Sequence, residues 1–449
     1  MSDQTRTHSL LALSLLFAIN TMNFFDRQIL GAINEPIRRD WGLSDTQLGW
    51  LVTAFTLLYA VVGVPLGRLA DIWRRKNILI IGLTLWSGLT YLSGLCQGFW
   101  SLFAVRLGVG IGEASCAPAS TSVIGDLFPA RARARALSVF MMGLPAGLAL
   151  SYIVSGTVAQ HYGWRFAFYV AGIPGLLLAA LTLMLREPQR GLAESRNVGA
   201  ARRPGSPYLL VLGIPTMWWI IASGTLHNFI MYAISSFLPA FLIRYHNVTV
   251  QNAGFICGVI IGSVGAAGML LGGWLGDGWI RRWPGGRMVL AGIAVLISVP
   301  AGYLAIRQPR GALASFVLFQ AAAWLLMYVY YAAVYSTIHD VVEPALRGTG
   351  MALYFFAMYV LGASLGPLGT GWLSDNMARK AAIGAHVLLQ PGSPIPEHFK
   401  AAGLRQAMYM VPILGILLAV VLFAGALTVR KDMERLHAWM ERIGSQGAT

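Results

Sequence analysis

Apolar residues along this chain come in long runs separated by short polar stretches, and the pattern repeats from one end to the other. A helix needs about 20 apolar residues to cross a bilayer. Twelve runs are of that order, at roughly 10–33, 48–70, 77–97, 100–127, 136–160, 164–185, 215–243, 253–280, 288–306, 312–340, 348–376 and 404–429. Two long polar stretches interrupt them. Residues 186–207, REPQRGLAESRNVGAARRPGSP, are basic and rich in Gly and Pro, the composition of a linker. Residues 377–402, which include LLQPGSPIPEHFK, read as an irregular loop.

The two halves echo each other. Gly67-Arg-Leu-Ala-Asp71-Ile-Trp-Arg-Arg-Lys76 closes span 2, and Gly273-Trp-Leu-Gly-Asp277-Gly-Trp-Ile-Arg-Arg282 closes span 8, 206 residues later. Pro129-Ala130-Arg131 recurs as Pro344-Ala345-Leu346-Arg347, 215 residues later. A period this long is not a solenoid; it fits two parallel bundles related by an axis along the membrane normal. The expected fold class is an all-α polytopic membrane protein with twelve transmembrane helices in two pseudo-symmetric six-helix bundles. The expected organisation is an N-terminal bundle over 1–185, a cytoplasmic linker over 186–210, a C-terminal bundle over 211–430 and a cytoplasmic tail over 431–449.

Composition agrees: 56% of residues are hydrophobic, 11% are charged and the mean hydropathy is +0.63, which excludes a chain of soluble domains. A net charge of +15 would otherwise suggest nucleic acid. Here the positive-inside rule explains it, because 21 cations fall in segments expected inside and 10 in segments expected outside. Both termini are therefore expected in the cytoplasm, and no nucleic-acid partner is expected. Cys96, Cys116 and Cys257 all lie in spans and have neither disulfide nor metal-site spacing. No cofactor is expected. Span 1 lacks a small-residue cleavage site and reads as an uncleaved anchor.

Four charges lie well inside predicted spans: Asp26, Arg27, Arg106 and Glu113. A charge near the bilayer centre costs at least about 2.5–3.5 kcal/mol, so such residues face a cavity or a partner. Arg106 and Glu113 are seven residues apart, two turns along one helical face. Gly108, Gly110 and Gly112 between them allow another helix to approach closely. In span 1, Asn20, Asn23 and Arg27 share a face, and Asp26 lies about 100° around the helix. Counting rise from each helix start puts Arg27 and Arg106 at nearly the same depth. The residues allow two readings. Asp26–Arg106 or Glu113–Arg27 could be structural pairs, or the four could bind substrate and carry protons, since buried pairs stabilise poorly on balance.

The second half offers hydroxyls and rings instead. Thr225, Asn228 and Tyr232 share a face of span 7, and Trp324, Tyr328, Tyr331 and Tyr335 form a stripe on span 10. These faces suit the apolar part of a substrate, or simple aromatic packing. His227 reads as a hydrogen-bonded packing histidine before a proton site. His339-Asp340 lacks the nucleophile or ligand set that an enzyme would need.

Gly67–Lys76, with its echo in span 8, resembles the loop 2–3 signature of the major facilitator superfamily. The resemblance implies a cytoplasmic latch of the outward-facing state, here Gly67, Asp71, Arg75, Arg135 and Asp277. Gly143-Leu-Pro145-Ala-Gly147 and Gly362-Ala-Ser-Leu-Gly366-Pro367-Leu-Gly369 resemble that family's Gly-Pro-rich helix. Closer still, Asn23-Phe-Phe-Asp26-Arg27, Arg106-Leu-Gly-Val-Gly110-Ile-Gly-Glu113-Ala114, Asp126-Leu-Phe128 and Leu137-Ser-Val-Phe140 are similar to spinster-type transporters over the first 190 residues. Those proteins move lysophospholipids and sphingolipid phosphates, linked to protons.

What the resemblance implies is a proton-coupled, alternating-access secondary transporter of an amphipathic anion, monomeric and in a bacterial inner membrane. Glu113 and Asp26 would couple protons. Arg27, Arg106 and Asn23 would meet the headgroup, and Asn228, Tyr232, Tyr328, Tyr331 and Tyr335 the tail. The alternative is a proton-coupled carrier of small organic anions such as sugar acids. A membrane-embedded lipid enzyme and a non-transporting sensor are the readings from other classes, and neither is favoured.

Overall fold

The computed structural model describes residues 3–188, 205–280, 283–387 and 395–446. In chain order the first helices are α1 (Asp3–Trp41), α2 (Asp45–Ile72), α3 (Arg75–Ser93), α4 (Phe99–Glu113), α5 (Cys116–Leu127), α6 (Ala130–Met141), α7 (Gly143–Tyr162) and α8 (Trp164–Thr182). After the linker come α9 (Pro207–Leu212), α10 (Pro215–Tyr245), α11 (Val250–Cys257), α12 (Gly265–Ile280), α13 (Gly286–Arg307) and α14 (Leu313–Val341). The last are α15 (Arg347–Ala357), α16 (Leu365–Gly384), α17 (Glu397–Met408) and α18 (Met410–Gln446). Among the described residues there is no strand. Among the described residues ten helical stretches, some joining two of these helices, are long and apolar enough to cross a membrane. The other two apolar runs are α3 and the pair α4–α5.

Several predicted spans differ in detail. Span 4 is broken at Ala114–Ser115 into α4 and α5. Pro118 has no N–H to return to the Ala114 carbonyl, and its ring crowds that turn. Span 5 breaks at Met142, three residues before Pro145, in the same way. Spans 8 and 11 are each interrupted by a π-helical stretch, Gly258–Val264 and Met358–Ala363.

The polar boundaries shift more. α1 runs eight residues past its expected end, and α18 carries the expected tail as helix to Gln446. The insert at 377–402 is helical on both sides, in α16 and α17, and only 388–394 lies outside the described residues. Most of the expected linker, 189–204, also lies outside them, and its last residues are helical, in α9.

The chain forms two compact units, each from three segments. The first unit comprises Met1–Arg196, Ile234–Ser263 and Pro367–Ala407. Its core gathers Leu16, Ile19, Leu83, Trp86, Val109 and Phe140, all fully buried. Helix α4 sits close to α2 and α3 because glycine removes the side chain at the contact. A Cβ on Gly110 would lie 2.7 Å from the Phe55 carbonyl oxygen, and one on Gly112 2.9 Å from that of Gly82. At Gly67, by contrast, nothing lies within 4 Å of the Cβ direction. The second unit comprises Asn197–Ala233, Val264–Gly366 and Met408–Thr449, with Leu290, Ala294 and Val329 in its core. Large apolar side chains such as Trp100, Leu177, Leu270 and Trp274 stay exposed, as lipid-facing surfaces require.

Candidate substrate and coupling site

The four intramembrane charges of the first unit come together. Asp26, Arg27, Arg106 and Glu113 are 0–6% exposed. Arg27 Nε stands 3.7 Å from Glu113 Oε2. Asp26, one step round α1, turns instead to α3, where Thr90 Oγ1 donates to its carboxylate at 3.4 Å. Arg106 reaches the Asp26 backbone carbonyl with both terminal nitrogens at 3.5 Å. Thus α1 and α4 present their charges at one level, as the depth count from the two helix starts requires.

The break in span 4 contributes directly. It ends α4 at Glu113, where the backbone carbonyl accepts a hydrogen bond from Asn23 Nδ2 at 3.3 Å. The Asn23 side-chain oxygen accepts from Arg27 Nη2 at 3.5 Å. One asparagine therefore holds the helix end and the neighbouring guanidinium together.

Aromatic rings of α2, not anticipated from the sequence, complete the site. The Arg27 guanidinium lies 4.2 Å from the Tyr59 ring centre and 5.8 Å from that of Phe55; Arg106 lies 4.8 Å from the same Phe55 ring. A guanidinium stacked by its face keeps its N–H edge for bidentate contact with carboxylate or phosphate. Phe55 and Tyr59 are an i, i+4 aromatic pair in an apolar span, and that spacing is the only signal the sequence offers.

In the second unit the aromatic stripe of α14 is present as a run of tilted and edge-on rings. Ring centres of Trp324 and Tyr328 are 5.6 Å apart, those of Tyr328 and Tyr331 5.3 Å, and those of Tyr331 and Tyr335 5.7 Å. Tyr331 donates to Asn228 Oδ1 at 3.5 Å, and Tyr232 sits edge-on to Tyr359. His227 is a packing residue: its ring stacks on Tyr330 at 4.0 Å and Nε2 faces the Met327 carbonyl at 3.0 Å. Tyr330 also bonds Ser223 and Tyr354, a polar core that the sequence pattern does not reveal. Asp340 pairs with Arg287 at 2.5 Å, not with a catalytic partner.

A second charged group in the first unit is invisible to hydropathy. Arg244 of α10 bonds Glu35 of α1 at 2.6 Å and holds both carboxylate oxygens of Asp45 at 2.7 and 2.8 Å. Glu35 also receives Arg38 and Arg39, and Arg38 clamps Glu397 at the start of α17. Ser374 donates to Asp45, and Asp375 accepts from the first two backbone amides of α2. An anion at a helix N-terminus is electrostatically favoured. By hydropathy Arg38, Arg39 and Arg244 are loop cations; in the structure all three are helical, and Arg38 and Arg244 are buried. The extension of α1 to Trp41, and of α10 to Tyr245, is the reason.

The family model of the major facilitator superfamily matches residues 16–367. The chain belongs to the major facilitator superfamily. It is 30% identical to an MFS-type efflux pump of Mycolicibacterium smegmatis, covering 82% of this chain and 84% of that protein. It is 28% identical to protein spinster homolog 1 of Xenopus tropicalis, over 97% and 84%. A probable L-galactonate transporter of Escherichia coli is also 28% identical, over 81% and 83%. Among solved structures, a bacterial homolog of the human lysosomal transporter Spinster, inward-facing and unoccupied, matches with a TM-score of 0.86 at 28% identity, over 95% and 98% of the two chains. The spinster-type resemblance and the major facilitator fold are thereby borne out, and the protein is a membrane transporter.

The superfamily's loop 2–3 signature is partly described. The side chains of Asp71 and Asp277 lie outside the described residues, and Arg135 is exposed on α6. Arg75 is buried and pairs with Asp126 of α5; its backbone N–H and Nε meet Glu187 at 2.7 and 3.4 Å. It ties α3 to α5 and to the segment after α8.

Proposed function

We propose that this transporter carries an amphipathic anion, of the lysophospholipid or sphingoid-phosphate type, by alternating access coupled to protons. The observation that carries the reading is the convergence of Arg27 and Arg106 on one buried Phe55 ring, 5.8 and 4.8 Å from its centre, with Glu113 beside Arg27. Two guanidinium edges suit a phosphate or carboxylate headgroup. The uncharged tyrosine stripe of the second unit has the chemistry to meet an apolar chain.

Charge balance gives the coupling its physical basis. Asp26, Arg27, Arg106 and Glu113 sum to zero. An anion that engages Arg27 takes the countercharge from Glu113 and leaves an excess negative charge in a buried site. Burial penalises that charge, and a proton on Glu113 removes it. A dianion leaves one more negative charge, which a second proton, on Asp26, removes. The Arg244–Glu35–Asp45–Arg38–Glu397 group ties α10 and α17 to α1 within the first unit, and any change of state that separates these helices must break it. Both termini face the cytoplasm, the membrane is a bacterial inner membrane, and the working form is the monomer.

A second reading is favoured by the galactonate relative: a small hydroxylated carboxylate on the same two arginines. A tail-length series separates them. Binding to the purified protein is measured for anions sharing one headgroup but differing in chain length. Affinity rising with each methylene supports the amphipathic substrate; affinity independent of length, with tight binding of a sugar acid, overturns it.

A further inference from the structure

Apart from the charged site, a cavity of about 440 Å³ lies where α3 begins and α8 ends. Arg74, Lys76 and Arg186 line it. Its one acid, Glu187, accepts from the backbone N–H and Nε of Arg75. Among the described residues no carboxylate forms an ion pair with Arg74, Lys76 or Arg186. Lys76 Nζ donates to the Leu183 carbonyl at 2.6 Å, which aims one cation along the wall. Among the described residues the cavity therefore concentrates positive charge, three cations against one carboxylate.

Its surroundings say what could balance it. The site lies at the ends of two apolar helices, where a membrane-spanning segment meets the headgroup layer. Leu183 and Met184 line the same cavity and are 61% and 78% exposed. Ile72 and Trp73, just before Arg74, are exposed as well, and tryptophan favours this interfacial level. Cations at the polar end with bare apolar side chains beside them match one molecule in the surroundings: a lipid with a negatively charged headgroup. A free phosphate would use the cations and leave Leu183 and Met184 in water. Basic pockets beside transmembrane helices hold anionic headgroups in this manner.

We infer that this cavity binds the headgroup of an anionic phospholipid of the surrounding bilayer, its phosphate on Arg74, Lys76 and Arg186 and its chains along Leu183 and Met184. The lipid would brace the start of α3 against the segment after α8, where Arg75 already joins them. This inference rests on the membrane placement alone and is independent of the transported substrate.

The test titrates the delipidated full chain with phosphatidylglycerol and with phosphatidylcholine, reading lipid adducts by native mass spectrometry. Wild type is expected to prefer phosphatidylglycerol. Removing each cation should cost about fivefold in that preference, so Arg74→Gln/Lys76→Gln/Arg186→Gln should abolish most of it. Lys431→Gln/Arg435→Gln, which removes surface charge elsewhere, should retain it. A charge-conserving Arg74→Lys/Arg186→Lys chain guards against misfolding and should also retain it. The inference is overturned if the triple variant keeps the preference, if the distant control loses it equally, or if inorganic phosphate displaces phosphatidylglycerol as well as the lipid itself does.

Discussion

Arg27 of α1 and Glu113 at the end of α4 face each other at 3.7 Å, both buried, with Asn23 bonded to each of them. The contact is longer than a charge-assisted hydrogen bond, which is about 2.7–2.9 Å. A loose pair of this kind can exchange its partner for a ligand at low cost. Arg27→Ala should therefore weaken anion binding at least tenfold. It should also destabilise the protein by about 3–5 kcal/mol, since it leaves a buried carboxylate without its cation. Arg27→Lys should keep the charge yet lose most of the affinity, because an ammonium gives neither the ring contact nor the bidentate edge. Binding titrations and thermal unfolding of the three proteins check both points.

Coupling by charge balance makes stoichiometry depend on the substrate. A monoanion should bring one proton and a phosphate dianion up to two, the second on Asp26. Reversal potentials measured with carboxylate and phosphate substrates of equal chain length check this. Equal stoichiometry for both would rule out Asp26 as the second acceptor.

Arg244 links α10 to Glu35 and Asp45 through three hydrogen bonds at 2.6–2.8 Å. Arg244→Ala should strip Asp45 of its guanidinium and Glu35 of one of its three, and shift the population toward the outward-open state. Ser236, whose carbonyl accepts from Asn34, is 4% exposed and offers a reporter. In a Ser236→Cys chain, labelling by a membrane-impermeant thiol reagent from outside should be slow. Adding Arg244→Ala should raise it severalfold.

Gly110 admits α4 to within van der Waals reach of the α2 backbone. Gly110→Ala should overpack this contact and cost about 1–3 kcal/mol, lowering the melting temperature. Gly67→Ala, with nothing within 4 Å, should leave it nearly unchanged.

The apolar runs make the helices legible, and depth counted from two helix starts is enough to bring Arg27 and Arg106 together. Helix ends are less legible. Past residue 33, α1 continues as a polar helix held by Glu35, Arg38 and Arg39, so hydropathy alone stops it too soon. Arg244 meets its partners 209 and 199 residues away, and no local pattern encodes that distance. Phe55 and Tyr59 look like ordinary apolar span residues because a ring stacked on a guanidinium has the same sequence signature as one packed on leucine. Pro118 is visible in the sequence, yet the break it causes acquires meaning only when Asn23 is seen bonded to the Glu113 carbonyl.

The most direct measurement places the protein in liposomes with an internal pH dye and adds a lysophospholipid, a sphingoid phosphate and a sugar acid in turn, to wild type and to Glu113→Gln. The expected result is proton flux with one of the lipids that vanishes in the variant. Proton-coupled transport that survives intact in Glu113→Gln, or flux with the sugar acid alone, would contradict it.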